Sequence, residues 1–410
     1  MKHPRFVYRS WQIDASPSLL TVRFHFLLGP DINFSPEITI PINGPVDRSL
    51  IEPFVFNLGM VEAISYWKAA CPPELVVEAG SLTADQIAWW HDLFLNGLGE
   101  FFYKNTVNFT QPNFLTIRTQ PQQFNNVAIK QSSPSGDLIL VGGGKDSAVT
   151  LELLKKMPQP KTALLLNPTP ASLKIVEVAG YQEKIIVKRT IDLKLLELNK
   201  AGYLNGHTPF SAYLAFLGSL VAALYGFKNV IASNEASASE GNINYLGKTI
   251  NHQYSKSYDF EKKFRDYSKE PTYFSFLRPL SELQIAALFA TMPRYHQVFA
   301  SCNVNRGLGW CGNCPKCAFV YLILSPFLST KQLLNIFGSD FFDKPELQKH
   351  FLDLTGAGDK KPFDCVGTPQ DVQGALSLLA GEPLELSDWN AKHFLPKEYE
   401  AVLRQALKNV

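Results

Sequence analysis

Residues 138–150 constrain the fold of this chain more than any other stretch. Leu138, Ile139, Leu140 and Val141 form an apolar run that ends in Gly142, Gly143 and Gly144. Lys145, Asp146 and Ser147 follow, and Val149, Leu151, Leu153 and Leu154 then recur at helical spacing. This order reads as strand, tight turn and helix start, the unit from which parallel α/β sheets are built. Such a turn suits polyphosphate. Glycines let backbone N–H groups approach an anion, and the helix start adds free donors and the positive end of the helix dipole. Lys145 supplies charge, and Asp146 and Ser147 can ligate a metal ion or cap the helix. The pattern is neither Gly-x-x-x-x-Gly-Lys-Ser/Thr nor Gly-x-Gly-x-x-Gly, because the glycines are consecutive and Asp146 separates Lys145 from Ser147.

The alternation continues downstream. Residues 162–168, 185–189 and 230–232 read as further strands, which predicts a parallel sheet with ligands at the carboxyl ends of its strands. The nearly apolar segment 209–227 approaches membrane-spanning length. Its Ser, Tyr and Gly content and its α/β setting predict a helix buried against the sheet instead. Upstream, residues 6–56 read as β-rich, with alternation over 20–26 and 37–41. Helical patterns follow over 61–70 and from Thr83 to about Lys104. Residues 119–136, rich in Gln, Asn, Ser and Pro, read as a linker. Beyond Cys317 a helix over 318–324, a helical stretch over 328–352 and two amphipathic stretches complete the chain. The parse is an α+β module (1–118), a linker (119–136), an α/β domain (137–327) and a helical extension (328–410).

A net charge of +2 over 410 residues gives no electrostatic reason to expect nucleic acid or a membrane surface. The N-terminal MKHPRFV lacks the apolar core of a signal peptide, which predicts a cytoplasmic protein. Four of the six cysteines cluster as Cys302-x8-Cys311-x2-Cys314-x2-Cys317. Four thiolates at this spacing suit one tetrahedral zinc ion in a closed, structural site. An iron–sulfur cluster is the rival occupant.

Two polar segments carry the remaining candidates. Residues 233–242 follow a strand, and their Glu235, Ser237 and Glu240 suit magnesium and polyphosphate. Residues 251–257 include His252 and Lys256. His207 precedes the apolar helix, and Cys365 sits in the compact segment 361–367, outside the cysteine cluster. Tyr66, Trp67, Lys68, Trp89, Trp90, Glu100, Tyr103 and Lys104 can form a ligand wall in the N-terminal module.

The glycine loop resembles the Ser-Gly-Gly-x-Asp-Ser pyrophosphate loop of the ATP pyrophosphatase superfamily, with Gly142 in place of the first Ser. That resemblance implies an adenine-nucleotide α-hydrolase-like domain that adenylates a substrate oxygen. It also implies adenine near the backbone at Leu166 and near Asn167. The cysteine spacing is similar to that of the zinc site in 7-cyano-7-deazaguanine synthase of the same superfamily. Further stretches extend over both halves of the chain: ISYWKAACPP (64–73), GLGEFFYKN (97–105), NGH (205–207), SNEASASE (233–240), NHQYSKS (251–257), CGNCPKC (311–317) and KPFDCVG (361–367). Together they resemble the ATP-dependent UDP-N-acetylmuramoyl-L-alanyl-L-glutamate epimerases of peptidoglycan synthesis.

This resemblance implies that ATP adenylates the α-carboxylate of the terminal L-Glu of UDP-MurNAc-L-Ala-L-Glu. The α-proton is then exchanged across faces, and hydrolysis releases AMP. Gly142, Gly143, Gly144, Lys145 and Ser147 would cradle the phosphates, and Asp146 with Glu235 or Glu240 would hold magnesium. His252, Lys256, His207 and Cys365 are the candidates for proton transfer. The dense polar setting of His252 and Lys256 favours that pair. The N-terminal module would grip the large substrate. The alternatives are a superfamily enzyme acting on a nucleoside or tRNA, and a non-catalytic nucleotide or metal sensor.

Overall fold

The computed structural model describes residues 3–119, 133–305, 307, 309–358 and 360–408. Residues 120–132 of the expected linker lie outside them.

Alternating apolar residues make β1 (Arg5–Ala15) and β2 (Leu19–Leu28) an antiparallel pair, extended by β3 (Ile32–Phe34) and β4 (Glu37–Pro41) on β2. The β-rich reading of residues 6–56 fails after this point. Helix α1 (Arg48–Trp67) starts well before residue 61, capped by the Asp47 side chain, and it contains Pro53. Burial of Ile51, Val55 and Leu58 against the sheet overrides the proline's helix-breaking tendency. Then come β5 (Glu74–Val77), α2 (Ala84–Gly97), α3 (Gly99–Lys104) and β6 (Thr116–Thr119). Thr83 and Gln86 form a capping box at the start of α2, where a cap is expected from the sequence.

The second half begins with β7 (Asp137–Leu140) and α4 (Lys145–Leu154), followed by β8 (Lys161–Leu166), α5 (Pro170–Ala179) and β9 (Lys184–Thr190). After α6 (Leu193–Lys200), the apolar segment forms α7 (Phe210–Tyr225), which leads into β10 (Asn229–Ala232). A small hairpin, β11 (Ile243–Tyr245) and β12 (Lys248–Ile250), precedes α8 (Tyr258–Tyr267) and β13 (Thr272–Ser275). Helices α9 (Glu282–Ala290) and α10 (Pro315–Leu324) pack beside the C-terminal α11 (Thr330–Phe337), α12 (Pro345–Leu354), α13 (Pro369–Leu379) and α14 (Lys397–Leu407).

The parallel strands lie in the order β13-β10-β7-β8-β9. The chain runs outward from β7 to β9 and then returns through α7 to β10 on the other side of β7. The carboxyl end of β7 is therefore the topological switch point, where doubly wound sheets bind ligands. On the far edge β9 pairs antiparallel with β4, so one 11-stranded sheet runs through both halves of the molecule. Arg189 at this seam makes a bidentate ion pair with buried Glu62 of α1, both contacts 2.8 Å.

The sheet divides the core into two layers. Leu138 and Leu140 of β7 face α1 and α7, whereas Ile139 and Val141 face α4, α9 and α10. Helix α7 is buried against the sheet, as its composition predicts, and no helix among the described residues is long and apolar enough to cross a membrane. The expected α/β architecture with a large, mostly parallel sheet is observed, with a fifth parallel strand, β13, that sequence reading missed.

Candidate active site

The loops after β7, β8, β10 and β13 meet at one edge of the sheet. In the first of them, Gly143 has φ +104°, and a Cβ there would stand 2.9 Å from the Ser172 nitrogen at the start of α5. Only glycine fits this position without strain. The Ala300 N–H donates to the Gly143 carbonyl at 3.0 Å. Gly142 donates its N–H to Ser147 Oγ at 3.1 Å, and Gly144 caps α4 with no side-chain partner for the first-turn donors. The Lys145 ammonium is buried between Asp146, at 2.5 Å, and Glu282 at the start of α9. Burial alone would raise Asp146, but Lys145, with Lys316 and Lys256 behind it, holds its carboxyl below the usual range. Burial pushes the Glu282 carboxyl up, against the pull of Lys145.

Arg278 fixes the two polar segments. Its fully buried guanidinium donates to the carbonyls of Glu235 and Lys256, pairs with Glu261 at 3.1 Å and reaches Ser275 Oγ at 3.3 Å. Glu235 is buried and accepts from Ser237 Oγ at 3.4 Å. Glu240, further out, pairs with Lys361 at 3.3 Å. The Asn167 amide joins the ends of β8 and β9: it donates to the Arg189 carbonyl at 2.8 Å and accepts from the Arg189 N–H at 2.9 Å.

A second cluster is assembled from distant stretches of the chain. Glu100 of α3 is buried and meets Lys104 Nζ at 2.5 Å, His207 Nδ1 at 3.2 Å, and His252 Nδ1 in a short hydrogen bond. The other ring nitrogen of His252 lies 3.8 Å from Cys365 Sγ, and Lys256 Nζ donates to the same sulfur at 3.2 Å. The Lys316 ammonium holds the Cys365 carbonyl. Lys68 anchors the His207 loop by donating to the carbonyls of Gly206 and His207 and to Thr208 Oγ1, while Asn105 Nδ2 donates to the Asn205 carbonyl at 3.0 Å.

Charge in this cluster is strongly ordered. Burial opposes ionisation of Glu100, but hydrogen bonds and charge from His252, Lys104 and His207 bring it down to about 2. Burial likewise opposes the His252 cation, and Cys365 and Glu100 nevertheless raise it to about 9. The Cys365 thiol, raised by burial, is brought down to about 6 chiefly by Lys256 and His252. Burial and the neighbouring His252 cation push His207 down to about 3. At neutral pH the row reads carboxylate, imidazolium, thiolate, ammonium, with a neutral imidazole beside it.

The four clustered cysteines converge as their spacing predicts. Their sulfurs lie within 4.8 Å of one another, and Cys311 and Cys317 are 3.7 Å apart. Zn–S bonds of about 2.3 Å in a tetrahedron set sulfurs about 3.8 Å apart, so one ion fits this set. Glu100, His207 and His252 also lie within 4.8 Å of one another. The Lys104 ammonium on Glu100 disfavours a second cation there.

His252, Lys256, His207 and Cys365 are thus brought into contact, and Asp146, Glu235 and Ser237 stand near the glycine loop. Glu100 is legible in the sequence only as one residue of an aromatic wall. Glu282, Arg278 and Lys316 escape sequence reading altogether. Their one signal is charge inside apolar surroundings: Arg278 and Glu282 are the charged residues of the largely apolar run over 274–289.

The molecule thus has a doubly wound α/β sheet with a glycine loop at its switch point and a thiol–imidazole–carboxylate row beside it, an arrangement whose groups can accept and donate protons. Residues 1–276 match the family model described as the MurL N-terminal domain, and residues 298–409 match the MurL C-terminal domain. The chain belongs to this family. It is 32% identical over 399 residues to the UDP-N-acetyl-alpha-D-muramoyl-L-alanyl-L-glutamate epimerase of Xanthomonas oryzae pv. oryzae, covering 93% of this chain and 87% of that protein. It is 34% identical over 421 residues to the epimerase of the same name from Salinispora tropica, covering 98% and 90%. A Micromonospora epimerase of that name is 34% identical over 396 residues, covering 92% and 86%. No solved structure matches the chain. The resemblance drawn from the sequence motifs and the family agree, and the nucleoside, tRNA and sensor alternatives lose their support.

Proposed function

We propose that this protein inverts the α-carbon of the terminal L-Glu of UDP-MurNAc-L-Ala-L-Glu by an ATP-driven route in peptidoglycan precursor synthesis. The epimerase activity follows from the family to which the chain belongs. The ATP dependence rests on the glycine loop at the switch point of the sheet, whose sequence resembles the pyrophosphate loop of adenine-nucleotide α-hydrolase-like domains. A carboxylate resists a carbanion beside it. Adenylation removes that charge: the α-carboxylate oxygen displaces pyrophosphate from substrate ATP and forms an acyl-adenylate. The α-proton then leaves to a base, an acid returns a proton to the other face, and water releases AMP and the D-Glu product.

The single observation that carries this reading is the convergence of His252, Lys256 and Cys365 beside the loop. Epimerisation needs groups that accept and donate protons near neutral pH. Cys365 touches both His252 and Lys256, and Glu100 orients the imidazole. The backbone of Gly142, Gly143 and Gly144, with Ser147 and the first turn of α4, would receive the phosphates, and Lys145 would hold Asp146 and Glu282 in place around them. Asp146 and Glu235, with Glu240 further out, would hold magnesium, which offsets phosphate charge when bound. Cys302, Cys311, Cys314 and Cys317 would hold zinc as a structural ion. An iron–sulfur cluster fits less well, because its thiolates sit on different irons and stand further apart. The N-terminal module supplies Glu100, Lys68 and Asn105 to the site and would grip the nucleotide-linked substrate, in the cytoplasm.

The test is a stoichiometry. With ATP, magnesium and UDP-MurNAc-L-Ala-L-Glu, AMP, pyrophosphate and D-Glu-containing product should form in step, the last read by chiral analysis after hydrolysis. D-Glu formation that is indifferent to ATP would refute the route.

A further inference from the structure

Cys365 stands in a setting that proton transfer alone does not require. The His252 and Lys256 cations already offer acids, and the neutral His207 imidazole beside them offers a base. The thiol is flanked by both, 3.8 Å from His252 Nε2 and 3.2 Å from Lys256 Nζ. The second nitrogen of His252 is tied to Glu100, and Glu100 to Lys104. Thiolate, imidazolium and orienting carboxylate in a row is the arrangement of cysteine enzymes that form covalent acyl intermediates. The thiol is also rigidly placed. Asn242 Nδ2 holds the Pro362 carbonyl at 2.8 Å, Gln253 Nε2 holds the Val366 carbonyl at 3.3 Å, and Lys316 holds the Cys365 carbonyl itself. Lys316 and Lys256, which hold the Cys365 carbonyl and sulfur, also act on the Asp146 carboxyl of the glycine loop, so the thiol and the loop share a charged neighbourhood. Cys365 as a residue is only partly buried.

We infer that Cys365 is an acyl acceptor: its thiolate takes the glutamyl α-acyl group from the adenylate as a thioester, and the α-carbon is inverted on that thioester. The inference rests on the adenylating route proposed above. In the transfer, a C–S bond forms, the C–O bond to AMP breaks, and AMP leaves with the electron pair. Acylation removes the thiolate charge that holds the proton on His252, so His252 releases that proton to solvent and takes the α-proton, and the Lys256 ammonium returns one to the α-carbon. Water attacks the thioester carbonyl, the C–S bond breaks, and the carboxylate and the Cys365 thiol are restored. No oxidant or reductant is involved. The chemical advantage is lifetime. A thioester acidifies the neighbouring C–H yet hydrolyses more slowly than an acyl-adenylate, so inversion can precede release. A thiolate flanked by two cations is suited to accept the acyl group at neutral pH.

The experiment is rapid-quench intact-mass analysis of stoichiometric enzyme with ATP, magnesium and UDP-MurNAc-L-Ala-L-Glu, with pyrophosphate measured in the same samples. The expected result is a transient species heavier than the enzyme by the substrate minus one water, discharged by hydroxylamine and mapped to Cys365. Cys365→Ala should lose the adduct and at least a thousandfold of D-Glu formation. Retained thermal stabilisation by ATP would show that it folds. Pyrophosphate release with no adduct at any quench time would overturn the thioester and leave the adenylating route standing. No pyrophosphate from wild-type enzyme would overturn both.

Discussion

The glycine loop and the Cys365 cluster occupy the same edge of one sheet but are built in opposite ways. The loop is a single run of sequence, residues 142–147, held by backbone geometry and by Lys145 between Asp146 and Glu282. The cluster gathers Glu100, His207, His252, Lys256 and Cys365 from stretches up to 265 residues apart, and its members are held almost wholly by one another and by Lys68, Asn105 and Lys316. The difference teaches where each function is stored. Anion binding is a property of a short turn and travels with it. Proton transfer, as proposed for this cluster, would be a property of the whole fold, because the N-terminal module supplies the carboxylate and the C-terminal region supplies the thiol.

The sharpest way to break this comparison is to separate the two functions. His252→Gln should lower D-Glu formation by about 10²- to 10⁴-fold, the usual worth of a positioned acid–base group. Substrate-dependent ATP–pyrophosphate exchange should continue in that variant, whereas Asp146→Asn should lose both. Equal loss of exchange and epimerisation in His252→Gln would show that the regions are not separable.

Arg278→Met comes next. It leaves buried Glu261 without its partner and frees the backbone at Glu235 and Lys256, so urea unfolding should report a loss of about 3–5 kcal/mol. A loss under 1 kcal/mol would remove Arg278 from its bracketing role.

A pH profile sharpens the charge order. The Cys365 thiolate forms as pH rises through about 6, and the His252 cation is lost as pH rises through about 9. Turnover that uses this pair should therefore rise through the first value and fall through the second. Glu100→Gln removes the carboxylate that supports the His252 cation, so the alkaline limb should move to lower pH. An unmoved alkaline limb would mean that Glu100 does not set the state of His252.

The smallest effects lie within the glycine loop itself. Gly143→Ala meets positive φ and the Ser172 nitrogen, and should cost about 1–3 kcal/mol in thermal or urea unfolding. Gly142→Ser meets nothing closer than Ser147 Oγ at 3.9 Å and should stay within about 0.5 kcal/mol. A fully stable Gly143→Ala protein would contradict the strained turn.

The same contrast governs what was legible in the sequence. Strand, glycines and helix are local, so residues 138–154 could be placed from periodicity and turn chemistry alone, as could the cysteine knuckle. Helix α1 begins well before the helical pattern over 61–70, because burial of Ile51 and Val55 sustains it through a segment that includes Pro53. Antiparallel pairing of β4 with β9 joins residues about 150 apart, and nothing local announces it. Glu282 looks like an ordinary first-turn acid in a capping box, and only the fold puts it on Lys145. His252, Lys256, His207 and Cys365 stand out by residue type, but their mutual contact depends on how the sheet brings distant loops to one edge.

The central claim is that proton exchange at the cluster depends on activation at the loop. The most direct measurement is NMR of the glutamate α-proton of UDP-MurNAc-L-Ala-L-Glu in D2O, with enzyme and magnesium, in the presence and absence of ATP. The account predicts deuterium at the α-carbon only when ATP is present, appearing in step with pyrophosphate. Exchange without ATP, or pyrophosphate release with the α-proton fully retained, would contradict it.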